Sequence, residues 1–238
     1  MSRFETGEFS HAGFSVVAEA STNERVDFIR KTYAHLFMAI LAFVGIEFFL
    51  FQTLDVRFLV KRMLHGYNFL LVLGLFIGVS FIADKWARSS TSQAMQYTGL
   101  ILYIFAEAII FLPLLYIAQA YGGNNVIPVA GMTTLLIFGG LTTIVFVSGK
   151  DFSFMGSFLY LASFGALAFI VMSLVFGFSL GNVFSVFMVL LAGGYILYET
   201  SEIIHTYQIG QHVAAALSLF ASVALLFWYI LRIFMSRR

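Results

Sequence analysis

Seven stretches of the chain carry apolar residues almost without a break. Each is long enough to cross about 30 Å of hydrocarbon as a helix rising about 1.5 Å per residue. They cover residues 32–53, 67–83, 97–118, 126–147, 154–176, 183–204 and 212–235. Turn formers separate several of them: Tyr121-Gly122-Gly123-Asn124-Asn125, Ser148-Gly149-Lys150-Asp151, and the run from Gly177 to Asn182. The pattern predicts an all-α protein, an integral membrane seven-transmembrane-helix bundle over residues 32–238, behind a polar N-terminal tail over residues 1–31. No linker, soluble module or internal repeat interrupts it.

Composition makes the bilayer the solvent. The chain is 61% hydrophobic and 11% charged, where a soluble domain carries about 25% charged residues. One globular core cannot hide that much apolar surface, so lipid is the first expected partner. Cysteine is absent, which excludes disulfides, thiolate metal sites and cysteine nucleophiles. A net charge of +1 argues against nucleic acid as a partner. Met1 to Lys31 interleaves acids and bases rather than following the basic-then-apolar order of a signal peptide, so the first span is expected to direct insertion.

Orientation is weakly biased. With the N-terminus inside, Arg3, Arg25, Arg30, Lys31, Lys85, Arg88 and Lys150 face the cytoplasm, against Arg57, Lys61, Arg62, Arg232, Arg237 and Arg238 outside. Seven against six, with charge-free third and fifth connections outside, favours a cytoplasmic N-terminus. Small residues at Gly74 and Gly78, Gly139-Gly140 and Gly193-Gly194 are expected to let helices pack closely. Pro113 is expected to kink the third helix.

Charge inside the spans changes the picture most, because an ionised side chain at mid-helix costs about 2.5–3.5 kcal/mol on insertion scales. Glu47 and Glu107 sit that deep. Each is either a neutral or hydrogen-bonded packing group or a member of a proton or cation relay. The sixth segment is apolar from Val183 to Tyr198 apart from Ser185, and then places Glu199, Glu202 and His205 at spacings of three. If the helix stops at Tyr198, the acids are simply solvated at the interface. If it continues, they stand at the negative end of the helix dipole where water becomes scarce. Both effects weigh on the ionised form, and such a group can change charge in the physiological range.

Other chemistries are excluded. Glu202-x-x-His205 is half of a carboxylate-bridged metal motif, but no second copy occurs, so no metal is expected. His-Glu-x-x-His and Gly-x-Ser-x-Gly are absent, and no nucleophile and base fall together, so no enzyme is expected. Lys31, Lys61, Lys85 and Lys150 all lie outside the spans, which excludes a retinal Schiff base. His11, His35, His65 and His212 fall in the tail, at helix ends or in connections, and suggest no cluster.

Particular motifs carry a resemblance. Leu197-Tyr198-Glu199-Thr200 followed by Ile203-Ile204-His205, Ala215-Ala216-Leu217-Ser218-Leu219-Phe220, Phe227 with Ile230-Leu231-Arg232, and Lys150-Asp151-Phe152-Ser153-Phe154 preceded by Thr142-Thr143 stand in this order on seven helices. Together with Glu107 and Pro113 they resemble the Bax inhibitor family, the transmembrane Bax inhibitor motif proteins with many bacterial members, over the chain from about residue 30 onward. The resemblance implies a bundle centred on the seventh helix, and a pH-sensitive calcium leak gated by two acids sharing a proton. Glu199 takes the first acidic position and Ser222 falls on the second, which lacks its charge; Glu202 is the acid nearest to replace it. Lys85 or Arg88 is the implied basic latch, and Glu107 lines the path. No cofactor is implied beyond calcium as the permeant ion. The alternative is a non-transporting protein that modulates a membrane-anchored AAA+ protease or sits in a larger membrane complex, using the polar tail and aromatic faces. Either role implies a multi-pass protein of the bacterial inner membrane.

Overall fold

The computed structural model describes residues 16–89, 92–123 and 125–236. Eight helices follow one another: α1 (Thr22–Thr53), α2 (Val56–Met63), α3 (Asn68–Ala87), α4 (Gln93–Tyr121), α5 (Val126–Ser148), α6 (Gly156–Phe176), α7 (Asn182–His205) and α8 (His212–Ser236). A single 3-10 turn, Ser153–Met155, leads into α6. All except the eight-residue α2 are long and apolar enough to cross a membrane, and they account for the seven stretches read from the sequence.

Two features lie outside the apolar pattern. The first helix starts at Thr22 rather than at residue 32, because Ser21 and Glu24 form a capping box. The Ser21 hydroxyl accepts from the Glu24 amide at 3.4 Å, and Glu24 Oε2 accepts from the Ser21 amide at 3.1 Å. The helix α2 occupies the connection after α1, its first turn capped by Asp55, whose Oδ1 accepts from the Phe58 amide at 3.0 Å. Residues 1–15 of the polar tail lie outside the described residues. The stretch just before α1 is tied down: the Val17 amide donates to the Tyr207 carbonyl at 2.9 Å, and Val16 bridges Gln208.

The centre of the bundle is α8, with 78% of its most apolar window buried. Its first half is rich in small side chains, Ala214, Ala215, Ala216, Ser218, Ser222 and Ala224, all buried, so α1, α4, α5 and α7 pack against it. In contrast only 6% of the corresponding window of α3 is buried. That helix seats on α4 through Gly99, where an added Cβ would stand 2.5 Å from the Ala83 carbonyl oxygen and 2.6 Å from the Ala87 amide nitrogen.

The glycines expected to pack therefore divide. At Gly194 a Cβ would meet Leu159 Cδ2 at 2.8 Å, and at Gly193 it would meet Leu141 Cδ1 at 3.3 Å. Around Gly74, Gly78, Gly139 and Gly140 no neighbour lies within 4 Å of such an atom. The GxxxG of α3 is corrected accordingly: among the described residues it joins no other helix, and α3 instead uses Ala83 and Ala87 near its C-terminal end to seat on α4. The helix α4 continues through Pro113 to Tyr121, and α7 continues past Tyr198 to His205.

Candidate functional site

Where α3 ends and α8 begins, a cavity of about 420 Å³ lies among α3, α4, α7 and α8, with Tyr160 of α6 also on its wall. Its wall holds three acids, Asp84, Glu107 and Glu199, one cation, Arg88, and the hydroxyls of Ser80, Ser218 and Ser222. Of the residues singled out in the sequence, Glu199, Ser222, Glu107 and Arg88 come together here. Lys85 and Glu202 do not contribute to the wall.

The separation has a simple geometric cause. A step of three residues turns the side-chain direction about 300° around a helix, so positions spaced by three drift by about 60° each time. Glu199 lines the cavity, whereas the Glu202 carboxylate accepts from the Thr206 hydroxyl at 3.1 Å and His205 Nδ1 lies 2.9 Å from the Ser201 carbonyl oxygen. The same arithmetic favours Arg88 over Lys85: Arg88 stands one turn beyond Asp84 on α3, and its Nε lies 3.0 Å from both Oδ1 and Oδ2 of that carboxylate.

Arg88 also crosses to α8. Its Nη2 donates to Ser218 Oγ at 3.3 Å, and that hydroxyl lies 3.1 Å from the Tyr207 hydroxyl. The Tyr207 ring sits 5.9 Å from the guanidinium carbon. Partial burial works against the charge of Arg88, but Tyr207, Asp84 and Glu199 around it outweigh that and hold its pKa above the ordinary value. Burial, followed by the nearby Glu199, pushes the Tyr207 phenol well above its usual range, so it stays a neutral hydrogen-bonding group. Asp84 is the acid that the sequence reading missed. Its signal was available as an opposite-charge pair at i and i+4 across Asp84 and Arg88.

A second cavity of about 350 Å³ lies beyond the first, among α3, α4, α6 and α8. Phe76, Glu107 and Leu225 line both. Glu107 sits near the middle of α4, is 5% exposed, and its Oε2 has no hydrogen-bond partner among the described residues. The second chamber is walled mainly by apolar and aromatic side chains, with Arg232 and Leu180 at the far rim. Arg232 Nη2 donates to the Leu180 carbonyl at 2.6 Å. A polar chamber at one end of the bundle and an apolar chamber at the other thus share one buried carboxyl.

Two further clusters complete the picture. Ser201, fully buried on α7, holds the connection between α5 and α6: its Oγ accepts from the Phe152 amide at 2.9 Å and donates to Asp151 Oδ1 at 3.1 Å. Asp151 also accepts from the Ser153 amide at 2.8 Å, and these Ser153 contacts lead in holding its pKa below the ordinary carboxylate value. Among the described residues no group of three or more His, Asp and Glu forms that could hold a metal ion, but two of the histidines do meet. His35 and His212 face each other with ring centroids 4.9 Å apart, and His35 Nε2 lies 2.9 Å from the Tyr97 hydroxyl. Helix packing brings together positions far apart in the chain, which spacing along the sequence cannot display.

With this geometry in hand, the chain can be set beside known proteins. The family model described as inhibitor of apoptosis-promoting Bax1 matches residues 25–238. The uncharacterized protein PA2604 of Pseudomonas aeruginosa is 30% identical over 223 residues, spanning 91% of this chain and 92% of its own. Bax inhibitor 1 of Schizosaccharomyces pombe is 29% identical over 224 residues, 91% of this chain and 79% of its own. The modulator of FtsH protease YccA of Escherichia coli is 30% identical over 170 residues, 69% of this chain and 73% of its own. A family match over nearly the whole chain, on a seven-span bundle centred on α8, makes this protein a member of the Bax inhibitor family.

Proposed function

We propose that this protein is a pH-responsive leak for calcium or another cation, with Glu199 as the titrating group. The single observation that carries the reading is the pair of chambers lined in common by Glu107. A carboxyl between two cavities, with Asp84, Glu199 and Arg88 on one side, suits a cation that enters by charge and crosses by one intermediate site. A change of charge at Glu199 alters its attraction to Arg88 and so the fastening of α3 to α8. No catalytic step and no cofactor enters; calcium is cargo. The protein is read as lying in a bacterial inner membrane with its N-terminus, and hence the polar chamber, on the cytoplasmic side. The test is calcium flux into proteoliposomes from about pH 5 to about pH 8, the range in which a shifted acid can titrate. Flux that depends on pH in the wild type and loses that dependence in Glu199→Gln is the expected result. No flux above empty liposomes from folded protein rejects the leak.

A second reading is favoured by the similarity to the Escherichia coli modulator of FtsH protease. In that role the protein docks against a membrane-anchored AAA+ protease and transports nothing. Co-purification of such a protease with the chain, unchanged by Glu199→Gln, is the outcome that distinguishes it.

A further inference from the structure

We propose that the second chamber is a binding site for a lipophilic organic cation, an ammonium bearing an aryl or branched apolar group, with Glu107 as its counter-charge. The chamber is built at helical spacing from both sides. Phe69, Leu73 and Phe76 recur at four and three residues on α3, and Leu225, Trp228 and Arg232 at three and four on α8. Its volume of about 350 Å³ falls within the range of about 300–1,000 Å³ typical of small-molecule pockets.

Three observations select the class of ligand. The first is Glu107 itself, 5% exposed, on the wall, with Oε2 unpartnered among the described residues. A buried carboxyl oxygen of this kind lacks a donor or a cation. The second is the wall. Phe76, Phe111 and Trp228 share the chamber wall with the acid, with Phe111 and Trp228 edge to face at 4.8 Å. Aromatic rings attract quaternary ammonium groups through their faces while the same rings shed water from the apolar substituents. The third is the shortage of oxygen ligands. Calcium takes about 6–8 oxygens, whereas the polar groups here are few, and Ser173 Oγ already donates to the Ile170 carbonyl. A diffuse charge can therefore rest in this apolar shell, whereas a hard ion could only pass through it.

Arg232 does not reverse this. It stands seven residues beyond Leu225 on α8, about 10 Å along the axis, and is tied to the Leu180 carbonyl. In one medium the nearer charge dominates, and an ammonium paired with the Glu107 carboxylate has that charge as its nearest. An anionic amphiphile headed at Arg232 would instead press its tail against the Glu107 carboxyl. The inference shares Glu107 with the proposed leak but needs no transport.

Trp228 supplies the readout, since the only other tryptophan is Trp86. In full-length Trp86→Phe protein, benzyltrimethylammonium is titrated against Trp228 fluorescence, beside its uncharged carbon isostere and decanoate. The expected result is a saturable change with the cation that weakens about tenfold or more in Glu107→Gln, as loss of a charge-assisted contact requires. The isostere is expected to bind both proteins equally and weakly. A second variant, Leu174→Trp, narrows the chamber and leaves Glu107 and Trp228 in place; bound cation measured by equilibrium dialysis should fall about tenfold or more. Equal cation binding with and without Glu107, or saturation by decanoate that is lost in Arg232→Gln, overturns the proposal. So does the absence of any saturable response in folded protein.

Discussion

Arg88 and Ser218 meet at 3.3 Å, Nη2 to Oγ, and through that contact the end of α3 is fastened to the central helix. The same guanidinium holds Asp84 on its own helix at 3.0 Å, so one side chain joins the outermost span of the site to the innermost. The Arg88 side chain is 46% exposed, so water screens part of the interaction. A hydrogen bond to a charged group is worth about 1.5–3 kcal/mol when sheltered, and the lower end applies here.

Replacing Arg88 by Ala should therefore shift the balance between fastened and released α3 by about tenfold, the equivalent of about 1.4 kcal/mol. Lys85→Ala, outside the cavity wall, should leave it unchanged. Spin-label distances between the ends of α3 and α8 in nanodiscs measure the difference directly, and equal distances in the two variants would refute the assignment of Arg88 as the latch.

Ser222 is 6% exposed and lines the polar chamber with Glu199. Ser222→Asp adds an acid to the same wall, and two carboxyls in one cavity titrate as a coupled pair. The expected outcome is a pH response of flux steeper than the wild type's, and steeper than that of Ser222→Asn. An unaltered profile with the protein folded removes Ser222 from the sensing position.

Gly99→Ala should loosen the seat of α3. The new methyl would press on the backbone at Ala83 and Ala87, and overpacking of this kind costs about 1–3 kcal/mol. Gly78→Ala meets nothing within 4 Å and should be neutral or stabilising by about 0.5–1 kcal/mol, as removal of a helical glycine generally is. Thermal unfolding of the two variants in one detergent checks both.

Asp151 gives a stability dependence at the acid end. Its pKa is held below the ordinary 3.8 by Ser153 first, with Ser201 assisting. A depressed carboxylate contributes stability that is fully present above its unfolded pKa and is lost as pH falls through the lower folded value. The window therefore lies below about pH 4. Asp151→Asn should flatten the loss of Phe152 amide protection in that window and leave neutral behaviour nearly unchanged; hydrogen exchange followed by mass spectrometry reads it.

The seven spans were legible because hydrophobic length alone decides them. The start of α1 was also written in the chain, as Ser21 followed three residues later by Glu24, but a polar helical turn is invisible to a reading led by hydropathy. Gly74 and Gly78 misled for a different reason: a small-residue motif says that a backbone can be approached, not what approaches it. Glu199 and Ser222 line one cavity, while Glu202 turns away with the drift of a three-residue step. Asp84 was overlooked because it stands at the interface, where an acid looks ordinary until Arg88 and α8 close around it. The facing of His35 and His212 depends on tertiary packing and has no local signature.

The Val17 amide and the Tyr207 carbonyl meet just before α8 begins. The helix they lead into is the most enclosed of the seven, and it is the last of them to leave the ribosome. Six spans must therefore wait in the bilayer around an unfilled axis, with α7 lacking its principal neighbour. Completion of this bundle is therefore a threading event that waits on α8, and a stall short of that helix leaves a hollow ring in the bilayer.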